Sequence, residues 1–395
     1  MSTQNAYFLP ALGLVNALGN SPDEVAARLF AGDSSGMILE SDWLPGRSAR
    51  LGRVLAELPA IPEPLRHLAS RTNQLLLAAL PPLLPSLESV LLRYGHSRVA
   101  VLVGTSNSGI EEGTRAVAEA GVDQALPSHY HYAQQELGTP ALFLARYLGI
   151  TGPAYGISTA CTSSAKVFSA AARLMDAGVC DAVLLGGSDA LAALTVSGFT
   201  ALESTDEALT NPMSRNRRGI NIGEGAALFL MTREAAPVQL LGVGESSDAH
   251  HISAPHPEGL GAELAMRAAL ESARLPANEV DYLNLHGTAT PKNDEMEALA
   301  VSRVFPHGVA LSSTKPMTGH LLGAAGATEV ALCWLALHHG KLPPHLWDGQ
   351  VDTALPLLDL VKPGRTFARA QGRACMSNSF AFGGNNACVL IGDAR

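Results

Sequence analysis

The chain has 395 residues, 47% apolar, 16% charged and only 5% aromatic, with a formal charge of −9. That length exceeds what one hydrophobic core usually fills, so two packed halves are expected, and the acidic balance argues against general nucleic-acid binding, which needs a basic face. The five cysteines (161, 180, 333, 375, 388) form no C-x-x-C pair and no H-E-x-x-H occurs, which argues against a disulfide framework and a structural zinc site. The N-terminus lacks a basic stretch followed by an apolar one. The longest apolar candidate, residues 75–92, is interrupted by Pro81, Pro82, Pro85 and Glu88, so no membrane span is expected and a cytoplasmic protein is the simplest reading.

In chain order, the Pro-rich residues 80–85 read as a loop or helix break. Residues 98–104 read as a buried strand ending in a glycine turn. The following Gly104-Thr105-Ser106-Asn107-Ser108 fails the G-x-S-x-G test at its last position, and there is no P-loop or G-x-G-x-x-G after a strand, so hydrolase and nucleotide chemistry lack support. Ser158 to Ser164 is a turn leading into a small-residue helix, with residues 165, 168, 172 and 175 at helical spacing and Gly178 placed to end it. Cys161 sits at the start of that helix, where unsatisfied N–H groups favour thiolate over thiol.

Residues 181–187 repeat the strand pattern and 226–231 give another strand. Between them Arg215, Arg217 and Arg218 form a basic cluster, either a solvated loop or a docking surface for an acidic partner. A division near Pro237 to Gly244 separates residues 1–240, carrying Cys161, from residues 241–395. The second part offers a strand over 280–285 leading into His286, one over 310–313 leading into Lys315, a Gly- and Ala-rich helix after His320 running through Glu329 and Trp334, and a late strand over 388–391. Strands alternate with helices in both parts, as in a duplicated α/β unit, although no residue-level repeat is visible.

Three segments carry the chemistry: Cys161 in its turn, His286-Gly287-Thr288-Ala289-Thr290-Pro291, and Lys315-Pro316-Met317-Thr318-Gly319-His320 followed by Leu321 to Gly326. A lone cysteine usually packs as a small hydrophobe and a lone loop histidine is usually solvated. One thiol with two imidazoles in Gly-rich surroundings suits acyl-thioester chemistry, because a thiolate accepts an acyl group and imidazole N–H donors stabilise an enolate oxygen. With residues 378–386 near the end, these segments resemble the β-ketoacyl-acyl-carrier-protein synthases, elongating condensing enzymes of the thiolase fold, over roughly residues 99–392.

The resemblance implies an α/β thiolase fold of duplicated α/β/α/β/α layers and decarboxylative Claisen condensation of an acyl thioester with a malonyl thioester, in fatty-acid or polyketide-like elongation such as that of aryl polyenes. Cys161 would be the nucleophile and His286 and His320 the enolate donors. The Cys161 and Phe382 N–H groups would form the oxyanion hole, and Phe382 would act as a gate. Lys315 and Glu329 would support the second histidine and the charge balance, while Thr288 and Thr290 would bind the phosphopantetheine arm of an acyl carrier protein. Neither a metal nor a separate cofactor is implied. A homodimer is expected, or a heterodimer with a synthase-like chain-length factor, and residues 104–110 border the acyl pocket. Two departures stand out: Arg217-Arg218-Gly219-Ile220 where many relatives read Arg-Asp-Gly-Phe, and Ala381 where the gate usually has glycine. The added Cβ predicts a stiffer gate. The rival readings are a non-catalytic chain-length subunit, which typically lacks the nucleophile, and a thiolase-like coenzyme A enzyme, which needs a second catalytic cysteine and would draw it from Cys375 or Cys388.

Overall fold

The computed structural model describes residues 6–121 and 125–394. Its strands are β1 (Tyr7–Val15), β2 (Met37–Leu44), β3 (Arg47–Gly52), β4 (Val99–Gly104), β5 (Ala154–Ile157), β6 (Ala182–Asp189), β7 (Ile222–Gly223), β8 (Gly225–Thr232), β9 (Val238–Ser247), β10 (Tyr282–Asn284), β11 (Ala310–Ser312), β12 (Asp359–Leu360), β13 (Ala374–Phe380) and β14 (Asn385–Asp393). Eleven pair in the order β12-β11-β10-β13-β14-β9-β1-β8-β6-β4-β5, while β2, β3 and β7 form a small separate sheet.

The duplication expected from the sequence is present in the topology. Taken in chain order, β1, β4, β5, β6 and β8 make one unit and β9, β10, β11, β13 and β14 the other. In both units the third strand pairs with the second, the second with the fourth, the fourth with the fifth and the fifth with the first. The first two of those pairings are parallel and the last two antiparallel in each unit. The units meet where β1 and β9 share only the pairs Tyr7↔Leu240 and Phe8↔Gln239.

Side-chain alternation builds the layers. Ala100 and Leu102 of β4 face an inner core with Phe168, Phe229 and Val330, whereas Val99, Val101 and Val103 face an outer core with Leu75 and Phe143. A second outer core packs Met266 and Val301 against Leu283 and Met376 of the other unit. Strands covered on both faces read as continuous apolar runs, as 98–104 and 226–231 do. The result is helix, sheet, helix, sheet, helix, the duplicated thiolase-type layering.

The inner helices are Ser163–Asp176 and Ala325–His339. Their small residues permit close approach: a Cβ on Gly326 would lie 2.7 Å from the Ala165 nitrogen, and the Ala327 N–H donates to Ser164 Oγ at 2.8 Å. Because Cys161 and His320 each lie just ahead of one of these helices, packing the helix starts together brings thiol and imidazole together. The helical stretch Arg71–Tyr94 is, by length and composition, apolar enough to cross a membrane. It breaks at a 3-10 turn over Pro81–Leu83, as the proline run predicts, and Leu75, Leu76, Leu83 and Leu87 are buried in the outer core.

Candidate active site

Cys161 is held on a constrained turn. Ala160 before it is left-handed at φ 52°, and Ser163 fastens the turn by accepting from the Thr159 N–H at 2.9 Å and donating to the Ala160 carbonyl at 2.5 Å. His320 is fixed through its backbone, donating to the Asn221 carbonyl at 2.7 Å and accepting from the Gly223 N–H at 3.0 Å. His286 follows β10, and its N–H and that of Gly287 both donate to the Glu297 carboxylate, at 2.8 and 2.7 Å. Gly287 is required there: its φ is 41° and a Cβ would lie 2.5 Å from the Ser313 side chain.

These supports place His320 Nε2 3.1 Å from Cys161 Sγ, with the His286 and His320 rings 5.2 Å apart and nearly perpendicular. The sulfur and one nitrogen of each imidazole all lie within 4.8 Å of one another. The three residues line a cavity of about 310 Å³ together with Thr288, Thr290 and Phe382. The two threonine hydroxyls are 2.9 Å apart, and the half-exposed Phe382 ring lies 5.6 Å from that of Phe199. Lys315 and Glu329 sit behind this wall. Lys315 Nζ donates to Glu329 and to the carbonyl of His286, so its direct tie is to the first histidine, whereas the resemblance pointed to the second.

Burial governs the charges. It pushes the Cys161 thiol up to about 12, against the Lys315 charge and the residue's own backbone N–H, which both act to lower it. Desolvation thus works against the helix start, which favours thiolate. Burial, followed by the Lys315 charge, holds both His286 and His320 well below the ordinary histidine range, leaving neutral rings. Burial also raises Glu329 to about 7 in spite of Lys315. A neutral imidazole beside a protonated thiol can take its proton as the sulfur attacks.

Several supporting groups were not singled out from the sequence. Glu297 also accepts from Asn378 Nδ2 at 3.1 Å, and Asp294, one turn earlier on the helix Pro291–Val304, accepts from Ala289 and Met213 N–H groups at 3.1 and 2.8 Å. Their three-residue spacing, which puts both on one helix face, was the available signal. Asp189 binds the 105–107 loop through Thr105 Oγ1 at 2.6 Å and two backbone N–H groups. His345 accepts from the Ser313 N–H at 3.0 Å and donates to the Pro212 carbonyl at 3.0 Å, and Ser313 in turn donates to the Gly287 carbonyl at 2.7 Å.

His345 carries a pH prediction. Burial holds it down to about 4, although the Pro212 carbonyl favours the proton. Its contribution to stability is full above the unfolded value of about 6.5 and is lost as pH falls from there through the folded value, by about 3 kcal/mol in total. Denaturant midpoints recorded from pH 7.5 down to pH 4 should fall less in His345→Gln than in wild type. The difference between the two proteins isolates this group from the buried carboxyls, which shift in the opposite sense. Parallel curves would remove the assignment.

The basic cluster is smaller than the sequence suggests. Arg217 is buried and paired with Asp352 and Glu295, so of the basic cluster only Arg215 and Arg218 are exposed. Ala381 has φ −124° and ψ 153°, extended backbone open to any residue, while Gly383 and Gly384 carry the left-handed turn at φ 82° and 77°. The Ala381 Cβ thus imposes no strain, and any stiffening of the gate comes from the narrower range of backbone conformations open to alanine than to glycine. Cys375 and Cys388 are fully buried in β13 and β14 and do not line the cavity, so neither supplies a second thiol there.

A buried Cys/His/His cavity between two copies of one α/β unit is the architecture of a thiolase-fold acyl-transferring protein. Residues 55–236 match the family Beta-ketoacyl synthase, N-terminal domain, and residues 238–347 match Beta-ketoacyl synthase, C-terminal domain. The chain belongs to the β-ketoacyl synthase family. It is 39% identical over 265 residues to the mitochondrial 3-oxoacyl-[acyl-carrier-protein] synthase of Arabidopsis thaliana, a match spanning 62% of this chain and 57% of that protein. It is 35% identical over 362 residues to Nodulation protein E of Rhizobium leguminosarum bv. trifolii, spanning 86% of this chain and 88% of that one. A solved ketosynthase in complex with its chain length factor from Xenorhabdus doucetiae superposes with a TM-score of 0.95 at 45% identity, covering 100% of this chain and 99% of the matched chain.

Proposed function

We propose that this protein is a β-ketoacyl-acyl-carrier-protein synthase that joins an acyl group, held on Cys161, to malonyl-carrier protein with loss of carbon dioxide. The observation that carries this reading is the 3.1 Å approach of Cys161 Sγ to His320 Nε2, with the His286 ring beside them in a buried cavity. In the first half-reaction Sγ attacks the acyl thioester, its proton passes through His320 to the departing carrier thiol, and an acyl-Cys161 thioester forms. The Cys161 and Phe382 backbone N–H groups are assigned to the oxyanion. In the second, the malonyl group loses carbon dioxide, and the enolate oxygen is stabilised by N–H donors of His286 and His320. The new carbanion then attacks the acyl carbonyl, and Cys161 leaves and takes up one proton. The ketoacyl product remains on the carrier.

Thr288 and Thr290 line the approach and suit hydrogen bonding to the phosphopantetheine arm. An acyl carrier protein is the assigned donor, and a homodimer or a heterodimer with a chain-length factor the assigned assembly. The similarity to a ketosynthase that pairs with such a factor supports the polyketide-like branch of the family. Convergence of the thiol and both imidazoles favours the catalytic subunit over a non-catalytic partner. The absence of a second cysteine from the cavity lining, among the described residues, favours a synthase over a thiolase. The test is intact-protein mass spectrometry after incubation with acyl-carrier proteins of several chain types, followed by malonyl-carrier protein. An acyl adduct that disappears as a longer ketoacyl product forms is expected. No adduct with any donor would remove the reading.

A further inference from the structure

The turn that carries Phe382 hangs on a lysine of the nucleophile helix. Lys166, five residues after Cys161, is largely buried, its side chain 16% exposed, and its Nζ donates to Asn385 Oδ1 at 2.7 Å. Glu245 on β9 stands 3.9 Å from the same ammonium and is itself held by Ser169 and by Arg173 at 3.3 Å. The ammonium thus has a carboxylate at ion-pair distance, while its hydrogen bond goes to Asn385. Asn385 closes the turn by accepting the Ala381 N–H at 2.8 Å, and the far side of the turn is pinned by Gly383 N–H to the Ile252 carbonyl at 2.7 Å and by Asp248 N–H to the Gly384 carbonyl at 2.8 Å. Backbone bonds fasten the turn to the 248–252 loop. The Lys166 bond alone among these reaches the helix that presents the thiol.

We propose that Lys166 is a positioning residue that couples the nucleophile helix to the gate, holding Phe382 in the wall of the Cys161 cavity and keeping water from the acyl-Cys161 thioester. The inference rests on the functional reading above for the acyl intermediate, but the fastening of the turn can be read without it. Lys166→Met and Asn385→Ala each remove one end of the bond, while Asn385→Asp keeps an acceptor. Two quantities are measured on the full chain: amide hydrogen exchange of residues 381–385 in the free protein, and hydrolytic decay of the acyl adduct followed by intact mass.

Each single variant should speed exchange and adduct decay by about fivefold, the range expected for loss of one net hydrogen bond. The double variant should be no faster than either single one, and Asn385→Asp should match wild type. A general loss of folding would instead speed exchange throughout the sheet, β4 and β13 included. Effects that multiply in the double variant, or unchanged exchange at 381–385, would overturn the coupling. Faster exchange with no acyl adduct even in wild type would leave the fastening standing while overturning the gate's protective role together with the functional reading.

Discussion

Cys161→Ala should form no acyl adduct and should lower condensation at least about 1,000-fold, since among the described residues no other thiol lines the cavity to carry the acyl chain between the two proposed half-reactions. The substitution removes one sulfur from a turn already fixed by Ser163, so the fold should survive it. It also leaves both imidazoles in place. If these stabilise the enolate independently of the thiol, malonyl-carrier protein should still lose carbon dioxide in the variant, giving acetyl-carrier protein with no elongated product. Mass spectrometry of enzyme and carrier reads both outcomes. An adduct that persists in Cys161→Ala would place the nucleophile elsewhere, and Cys375 and Cys388, sealed in β13 and β14, are poorly situated to take its place.

The parts of the site visible in the sequence are those whose chemistry is local to a motif. Cys161, His286 and His320 each stand in a short Gly- or small-residue-rich segment, and the segments around them fold as those patterns predict. Groups that act at a distance were not visible. His345 meets Pro212 across 133 residues and Ser313 across 32, and no spacing rule links such positions. Arg217 reads as a solvated charge until Asp352, 135 residues on, is brought against it. The thiol's electrostatics divide in the same way: a helix start is a local feature, whereas desolvation is set by the whole packed interior. In the fold, Pro10 masks β1 in the sequence pattern. The strand accommodates that proline at an irregularity in its pairing with β8 between Phe8 and Ala11. The duplicated strand order was legible only as alternation, because the two units share topology and pairing sense without sharing residues.

Replacing the two histidines singly should separate their roles. His320 Nε2 lies at hydrogen-bond distance from Sγ, so His320→Ala removes both the proton acceptor for the thiol and one enolate donor. With the thiol pushed up to about 12 by burial, the loss of its base leaves almost no thiolate at neutral pH, and adduct formation should slow by about 100-fold or more. His286 stands beside the pair and is tied to Lys315 through its carbonyl, away from the sulfur. His286→Ala should therefore load Cys161 at close to the wild-type rate, yet lose decarboxylation and condensation by about 100-fold to 1,000-fold, the usual cost of one oxyanion donor. Loaded enzyme should accumulate in this variant and stay loaded when malonyl-carrier protein is added. Because the two substitutions delete side chains of the same size from the same cavity, a difference between them in the acylation step reports chemistry rather than packing. Equal loss of acylation in both would mean that the two rings act as one unit on the thiol.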